Sequence, residues 1–111
     1  VVHMPPPLRD FELAVLGAVA RLGEDAYGAA LCRDLTERGG RAVAVGAVVT
    51  TLHRLEAKRL VTSTLSEPLP VRGGRARRCF RLTAAGRRAL AAALETRQRL
   101  WGFGDPTADP A

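Results

Sequence analysis

The sequence has few of the side chains from which active sites and metal centres are built. Only two of its 111 residues are histidines, His3 and His53, and only two are cysteines, Cys32 and Cys79. The cysteines have no CxxC spacing, so they predict neither a zinc site nor a disulfide framework, and we interpret both as free thiols in a reducing, cytoplasmic setting. His53 is the single general-base candidate inside the domain, and no serine or cysteine is placed to act with it. We therefore expect no enzyme, no metal and no cofactor.

Long apolar runs are also missing. No stretch approaches the roughly 18–20 apolar residues that a membrane span requires, and the opening VVHMPPPLRD has no apolar signal core. The His3-Met4 pair resembles a cloning remnant, so we expect residues 1–7 to be a disordered segment outside the fold. Residues 102–111, GFGDPTADPA, are expected to form a flexible tail. The remaining length predicts one domain.

Acidic residues are scarce in one half of the chain. Residues 1–37 carry three arginines against six acidic residues, whereas residues 38–101 carry fourteen basic residues against three acidic ones. Five of these arginines fall within residues 72–81. Because such crowding is self-repulsive, it points to a polyanion as the partner, with a solvated arginine-rich surface as the alternative. A membrane surface is less favoured, since the charge is spread over a helix and a hairpin instead of one amphipathic helix.

The order of predicted elements indicates a mainly α fold with a small β-hairpin. Apolar spacing predicts helices, and β-branched and alternating residues predict strands. The helices are expected at 8–22, 26–38, 45–59 and 84–101, with a brief extended piece at 43–45 and hairpin strands at 60–66 and 75–82. This order fits a winged helix-turn-helix domain over residues 8–82, followed by a C-terminal dimerisation helix over residues 83–101 that Thr83 caps.

The third predicted helix has two distinct sides. Val48, Leu52, Leu55 and Arg59 fall on one side at 100° per residue, and the opposite side carries smaller and basic residues: Ala47, Thr50, Arg54 and Lys58. Threonine and arginine hydrogen-bond base edges in the major groove, and lysine pairs with phosphate. An ordinary amphipathic helix with a solvated polar face is the alternative.

The last helix carries an apolar stripe that a small protomer has difficulty burying. Its members are Leu90, Leu94 and Trp101, and Leu13 and Leu16 lie on a second apolar side of the first helix. Association with a second copy would cover these residues, and packing back on the same domain is the alternative. We interpret Trp101 as a packing anchor, with a role in lining an interfacial pocket for a small apolar effector as the other interpretation.

Three segments together resemble the PadR-type transcriptional regulators, in their short form with one C-terminal helix. The resemblance covers roughly residues 8–101. It rests on LAVLGAVARLGEDAYGAAL, which contains Tyr27-Gly28, on VGAVVTTLHRLEAKRLV at 45–61 and on RGGRARRCFRLTAAG at 72–86. The joint match, in this order and spacing, is specific.

The resemblance implies a homodimeric bacterial repressor that binds a palindromic operator in double-stranded DNA. Carried over by position, it places Ala47, Thr50, Thr51 and Arg54 at the groove. Phosphates would be held by Lys58 and the wing residues Arg72, Arg75 and Arg77, and the last helix, helped by the first, would form the dimer. The chain departs from the family at three positions: Val49 stands where tyrosine is usual, Cys79 where an aromatic residue is common, and Arg59 where glycine would relieve a left-handed backbone.

One function from another class remains open. A winged-helix domain with a basic wing could dock on an acidic protein instead of DNA. RNA is less favoured, because no aromatic residues interleave with the arginines to stack on bases.

Overall fold

The computed structural model describes residues 8–67 and 76–102. It is mainly α-helical with one two-stranded antiparallel sheet, as the sequence predicted. In chain order the helices and strands are α1 (Asp10–Leu22), α2 (Gly28–Gly39), α3 (Val45–Ala57), β1 (Val61–Leu65), β2 (Arg78–Leu82) and α4 (Ala84–Trp101). A single 3₁₀ turn, Gly23–Asp25, lies between α1 and α2.

Helix α1 is the centre of the packing and touches α2, α3, β2 and α4. Its apolar residues recur at helical spacing on more than one side, so several neighbours can cover them. The core is a single cluster of apolar side chains from these elements. Its members are Val15, Leu16, Ala18, Val19, Ala26, Leu31, Leu35, Val48, Leu52, Leu55, Val61 and Phe80.

The second strand of the hairpin pairs with β1 on one edge and with the start of α2 on the other. The register pairs Val61 with Leu82 and Leu65 with Arg78. On the other edge of β2, Cys79 forms an isolated antiparallel bridge with Tyr27, and the N–H of Phe80 donates to the carbonyl of Ala26 at 2.8 Å. Both edges of β2 are therefore paired near Cys79.

The end of α3 is joined to the start of α4 by a compact set of hydrogen bonds. Arg59 adopts the left-handed conformation, with φ of 62°, as expected for a position where glycine is usual. The Thr83 hydroxyl donates to the Arg59 carbonyl at 2.8 Å and accepts from the Gly86 N–H at 2.9 Å. The Thr83 N–H donates to the Leu60 carbonyl at 3.0 Å. Thr83 thus caps α4, as predicted, and also holds the chain that leaves α3.

Several predicted boundaries move inward. Helix α1 begins at Asp10 instead of residue 8, α3 ends at Ala57, and the two strands are shorter than the runs 60–66 and 75–82. The extended piece expected at 43–45 does not form a strand, because Val45 already belongs to α3. The expectations for residues 1–7 and for the tail beyond Gly102 lie outside the described residues.

Candidate nucleic-acid interface

One face of α3 is exposed along the whole helix. It carries Ala47, Thr50 and Arg54 as predicted, together with residues that the spacing argument did not single out: Val45, Gly46, His53 and Ala57. The opposite face enters the core through Val48, Leu52 and Leu55. The helix therefore presents small side chains in its first turn and a guanidinium further along, a surface that can approach the floor of a groove.

The prediction that Thr51 lies at the groove is wrong. Its residue is only 5% exposed and belongs to the buried side of α3. Thr51 follows Val48 by three residues and precedes Leu55 by four, so helical geometry places it with the core residues. The resemblance placed Thr51 at the groove by its position in the family pattern, and the side of the helix on which it lies was not considered.

Lys58, predicted to hold a phosphate, is engaged within the protomer. Its ammonium donates to Glu12 on α1 at 2.8 Å, and the other carboxylate oxygen of Glu12 accepts from the Arg9 N–H at 3.0 Å. Burial alone would raise the pKa of the Glu12 carboxyl. The bonds from Lys58 and Arg9, with their nearby positive charges, outweigh burial and leave this pKa below its usual value. Glu12 and Lys58 therefore tie the end of α3 to the start of α1.

Changing Glu12 to glutamine should cost about 1–2 kcal/mol of unfolding free energy near neutral pH, since a charge-assisted hydrogen bond is lost. A lowered pKa in the folded state means that the stabilisation is present above the unfolded value of about 4.3 and is lost as pH falls through the folded value. Urea unfolding of the unaltered protein and of Glu12→Gln should be measured between pH 3 and 7. The difference between their unfolding free energies should shrink as the pH falls. Glu37→Gln, an exposed change on α2, is the control and should show no such trend. A constant difference across this range would contradict the role assigned to the carboxylate.

Tyr27 links α2 to the second arm of the hairpin. Its ring lies under the guanidinium of Arg77, which is 4.2 Å from the ring centroid. Its hydroxyl accepts a long hydrogen bond, 3.4 Å, from Arg33 on α2. The predicted second helix, 26–38, includes Tyr27, but Tyr27 is the half-buried residue that precedes this helix. The bridge to Cys79 sets this position, and that contact joins residues 52 positions apart.

The β-hairpin, which forms the wing of the predicted fold, is also bonded to α3. The Ser63 hydroxyl donates to Glu56 at 2.7 Å and accepts from Arg78 at 2.9 Å, so α3, β1 and β2 are connected in sequence. Arg78 was not among the predicted contacts, although it is exposed beside Arg77. Of the predicted wing residues, Arg72 and Arg75 lie outside the described part of the chain, and Arg77 lies within it.

Positive charge around α3 and the wing base is largely uncompensated. Within residues 8–67 and 76–102, Asp34 pairs with Arg21 and Arg38, and Glu12 pairs with Lys58. The other ion pairs there are Arg81 with Glu24, Arg97 with Asp10 and Arg99 with Glu95. The bond from Arg21 lowers the pKa of Asp34 against the opposing effect of partial burial, and Arg38 lowers it further. No ion pair within 4 Å in these ranges involves the following arginines: Arg33, Arg54, Arg59, Arg77 and Arg78. These charges are available to an anionic partner.

The predicted dimerisation residues do not form one surface. Leu16 is fully buried in the protomer core, so its assignment to an interface is wrong. Leu13 is also mostly covered but lines a groove of about 730 Å³ beside α4. On α4, Leu90 is half-buried against the core, whereas Leu94 and Trp101 are 53% and 64% exposed. The apolar stripe of α4 is thus partly covered by its own protomer at Leu90 and exposed to solvent at Leu94 and Trp101.

Among the described residues, no three His, Cys, Asp or Glu side chains are grouped so as to hold a metal ion. Cys32 and Cys79 are both free thiols. No helix in the part of the chain that the structure covers has the length and apolar character needed to cross a membrane.

The arrangement of helices and hairpin matches a known protein family. The family model described as "Transcriptional regulator PadR-like family" matches residues 15–92, which is most of the chain and includes α2, α3 and both strands. The chain belongs to the PadR-like family. The family and its matched curated relative are transcriptional regulators, a class distinct from enzymes.

That relative of the PadR-like chain is the transcriptional regulator Rv3488 of Mycobacterium tuberculosis. The two are 46% identical over 66 residues, which cover 60% of this chain and 57% of the relative. The chain therefore spans little more than half the length of this relative.

Solved structures show the same PadR-like fold. A PadR-like transcription factor from Bacteroides fragilis superposes with a TM-score of 0.67 at 22% identity, over 83% of this chain and 84% of that one. RosR of H. salinarum superposes with a TM-score of 0.63 at 30% identity, over 88% and 80% of the two chains. The winged-helix fold class predicted from the element order is confirmed.

Proposed function

We propose that this PadR-like chain is a homodimeric repressor that binds a palindromic operator in double-stranded DNA. Helix α3 enters the major groove through Ala47, Thr50 and Arg54, and the wing, residues 66–78, follows the phosphate backbone. Binding at the promoter represses transcription by excluding other proteins from the same DNA.

The observation that supports this proposal is the exposed face of α3. Arg54 stands on it without a carboxylate within 4 Å among the described residues, beyond a first turn of small side chains. A guanidinium in this setting suits the two acceptors of guanine, and the small side chains permit close approach to the bases. The core side of the same helix is fixed by Val48, Leu52 and Leu55, so the exposed face has a defined orientation.

The second copy is supported by the uncovered part of α4. Leu94, Leu100 and Trp101 are exposed large apolar residues, and grooves of about 730 and 520 Å³ flank the helix. Two copies that meet through α4 and the adjoining face of α1 cover these residues symmetrically. The same grooves offer a small apolar effector a place between the subunits, and no ligand is assigned.

Selection of bound duplexes from a random pool tests the function. We expect an enriched palindrome whose half-sites are centred about 34 Å apart, one turn of the duplex. Arg54→Ala should weaken binding to the selected duplex by about 1–3 kcal/mol and relax the preference at one base pair of each half-site.

Arg75→Ala provides the contrast, since a wing arginine that contacts phosphate carries no sequence information. This change should weaken selected and random duplexes alike and lower the salt dependence of binding. Equal affinity of the unaltered protein for selected and random duplexes would rule out the sequence-specific function and favour docking of the wing on an acidic protein.

A further inference from the structure

The side chains of Tyr27, Arg33 and Arg77, here called the Tyr27 cluster, bring two positive charges onto one phenol ring. Arg77 lies over the ring face, and Arg33 reaches the hydroxyl at its edge. Neither guanidinium has a carboxylate within 4 Å among the described residues. Two like charges in contact with the same side chain repel each other, and an anion beside them would relieve the repulsion.

The cluster adjoins the exposed face of α3. Gly28, the residue after Tyr27, lies against Val49, so that a Cβ at Gly28 would be 3.9 Å from the Val49 Cγ2. Val49 directly precedes Thr50 on the candidate groove face. The start of α2 therefore contacts both the middle of α3 and the second strand of the hairpin.

The Tyr27 side chain contacts both arginines, Arg77 through the ring face and Arg33 through the hydroxyl. An arginine stacked on an aromatic ring keeps its N–H donors free at the edges of the guanidinium plane. Tyr27 is itself fixed, because its backbone bridges to Cys79 and its N–H donates to the Asp25 carbonyl at 2.9 Å. The backbone of β2 is thus held beside Tyr27 at Cys79, two residues after Arg77.

We propose that the Tyr27 cluster is a phosphate-binding site of the DNA interface, with Arg33 and Arg77 as the phosphate ligands and Tyr27 as the residue that positions them. This inference rests on the proposed function. It adds a contact from α2 to those from α3 and the wing, and it assigns Arg33, which neither the motif pattern nor the spacing singled out.

The test compares binding of a selected duplex and a random duplex over a range of salt concentrations. Arg33→Gln should weaken both duplexes alike and lower the slope of log K against log salt by about 1 for each subunit. Arg88→Gln on α4 is the matched control, because Arg88 is exposed and has no ion pair among the described residues; it should leave affinity and slope unchanged. If Arg33→Gln behaves like Arg88→Gln, the site is overturned.

Two changes of Tyr27 separate positioning from folding. Tyr27→Phe keeps the ring under Arg77 but removes the hydroxyl that contacts Arg33, so it should lose less affinity than Tyr27→Leu. Tyr27→Leu removes the ring and should weaken both duplexes alike, with a far-UV circular dichroism spectrum like that of the unaltered protein. Equal binding by these two variants would overturn the positioning role. Failure of the unaltered protein to bind any duplex would instead count against the proposed function itself.

Discussion

Replacing Gly86 with alanine is expected to destabilise the protein by about 3 kcal/mol, because the junction between α3 and α4 has no room for a methyl group. An added Cβ would stand 1.9 Å from the carbonyl oxygen of Leu60. That oxygen belongs to the backbone and is held by the Thr83 N–H, so it has no easy way to move aside. Either α4 moves away or the chain after α3 is displaced, and both responses break bonds of Thr83.

Thermal and urea unfolding measure this effect, and Gly39→Ala is the matched control. Gly39 is the last residue of α2, its φ is not positive, and nothing lies within 4 Å of an added Cβ there. Alanine at this position should leave stability unchanged or raise it by up to about 1 kcal/mol. If Gly86→Ala unfolds at the same temperature and urea concentration as the unaltered protein, then α4 tolerates a shift at its first turn.

The junction at Gly86 connects the two parts of the proposed function. The same Thr83 hydroxyl that begins α4 also holds the carbonyl of Arg59, two residues after α3 ends. Glu12 attaches the neighbouring Lys58 to α1. The end of α3 is therefore bonded to both helices that we propose form the dimer, so in that dimer the arrangement of α1 and α4 would orient α3.

The sequence predicted the elements well where the signal is local. The bounds of α4 are as expected, since a threonine cap precedes a run of good helix formers. The left-handed Arg59 was also predicted, from the glycine usual at that position. Boundaries elsewhere moved by a few residues, as short strands such as β1 and β2 depend on their partner for where they end.

The contacts that were missed join distant residues. Glu12 and Lys58 are 46 positions apart, and the pairing of Tyr27 with Cys79 has no local pattern in the sequence. Leu16 was assigned to an interface because its helix is apolar on two sides, and only the arrangement of neighbours shows which side the protomer itself covers. Thr51 differs from these, since its spacing from Val48 and Leu55 already placed it on the core side.

Changing Leu94 to aspartate should raise the dissociation constant of the proposed dimer by at least about 100-fold, or roughly 3 kcal/mol. A symmetric interface receives the change twice, so two charges lose water and face an apolar surface without a partner. Leu94 is 53% exposed in the protomer, and it lines the grooves on both sides of α4. The protomer should therefore keep its stability while the assembly is lost.

Ala92→Asp is the control that makes this result specific to a face of α4. Residue 92 is exposed on the same helix, and at 100° per residue it lies about 160° from Leu94. Ala92→Asp adds the same charge two positions away on the same helix, but on the side away from the proposed contact. Sedimentation over a range of concentrations should show dimers for the unaltered protein and Ala92→Asp, and monomers for Leu94→Asp. Monomeric Ala92→Asp together with dimeric Leu94→Asp would place the contact on the other side of α4. Because each half of a palindrome contributes through its own subunit, Leu94→Asp should also bind the selected duplex only as weakly as a single half-site.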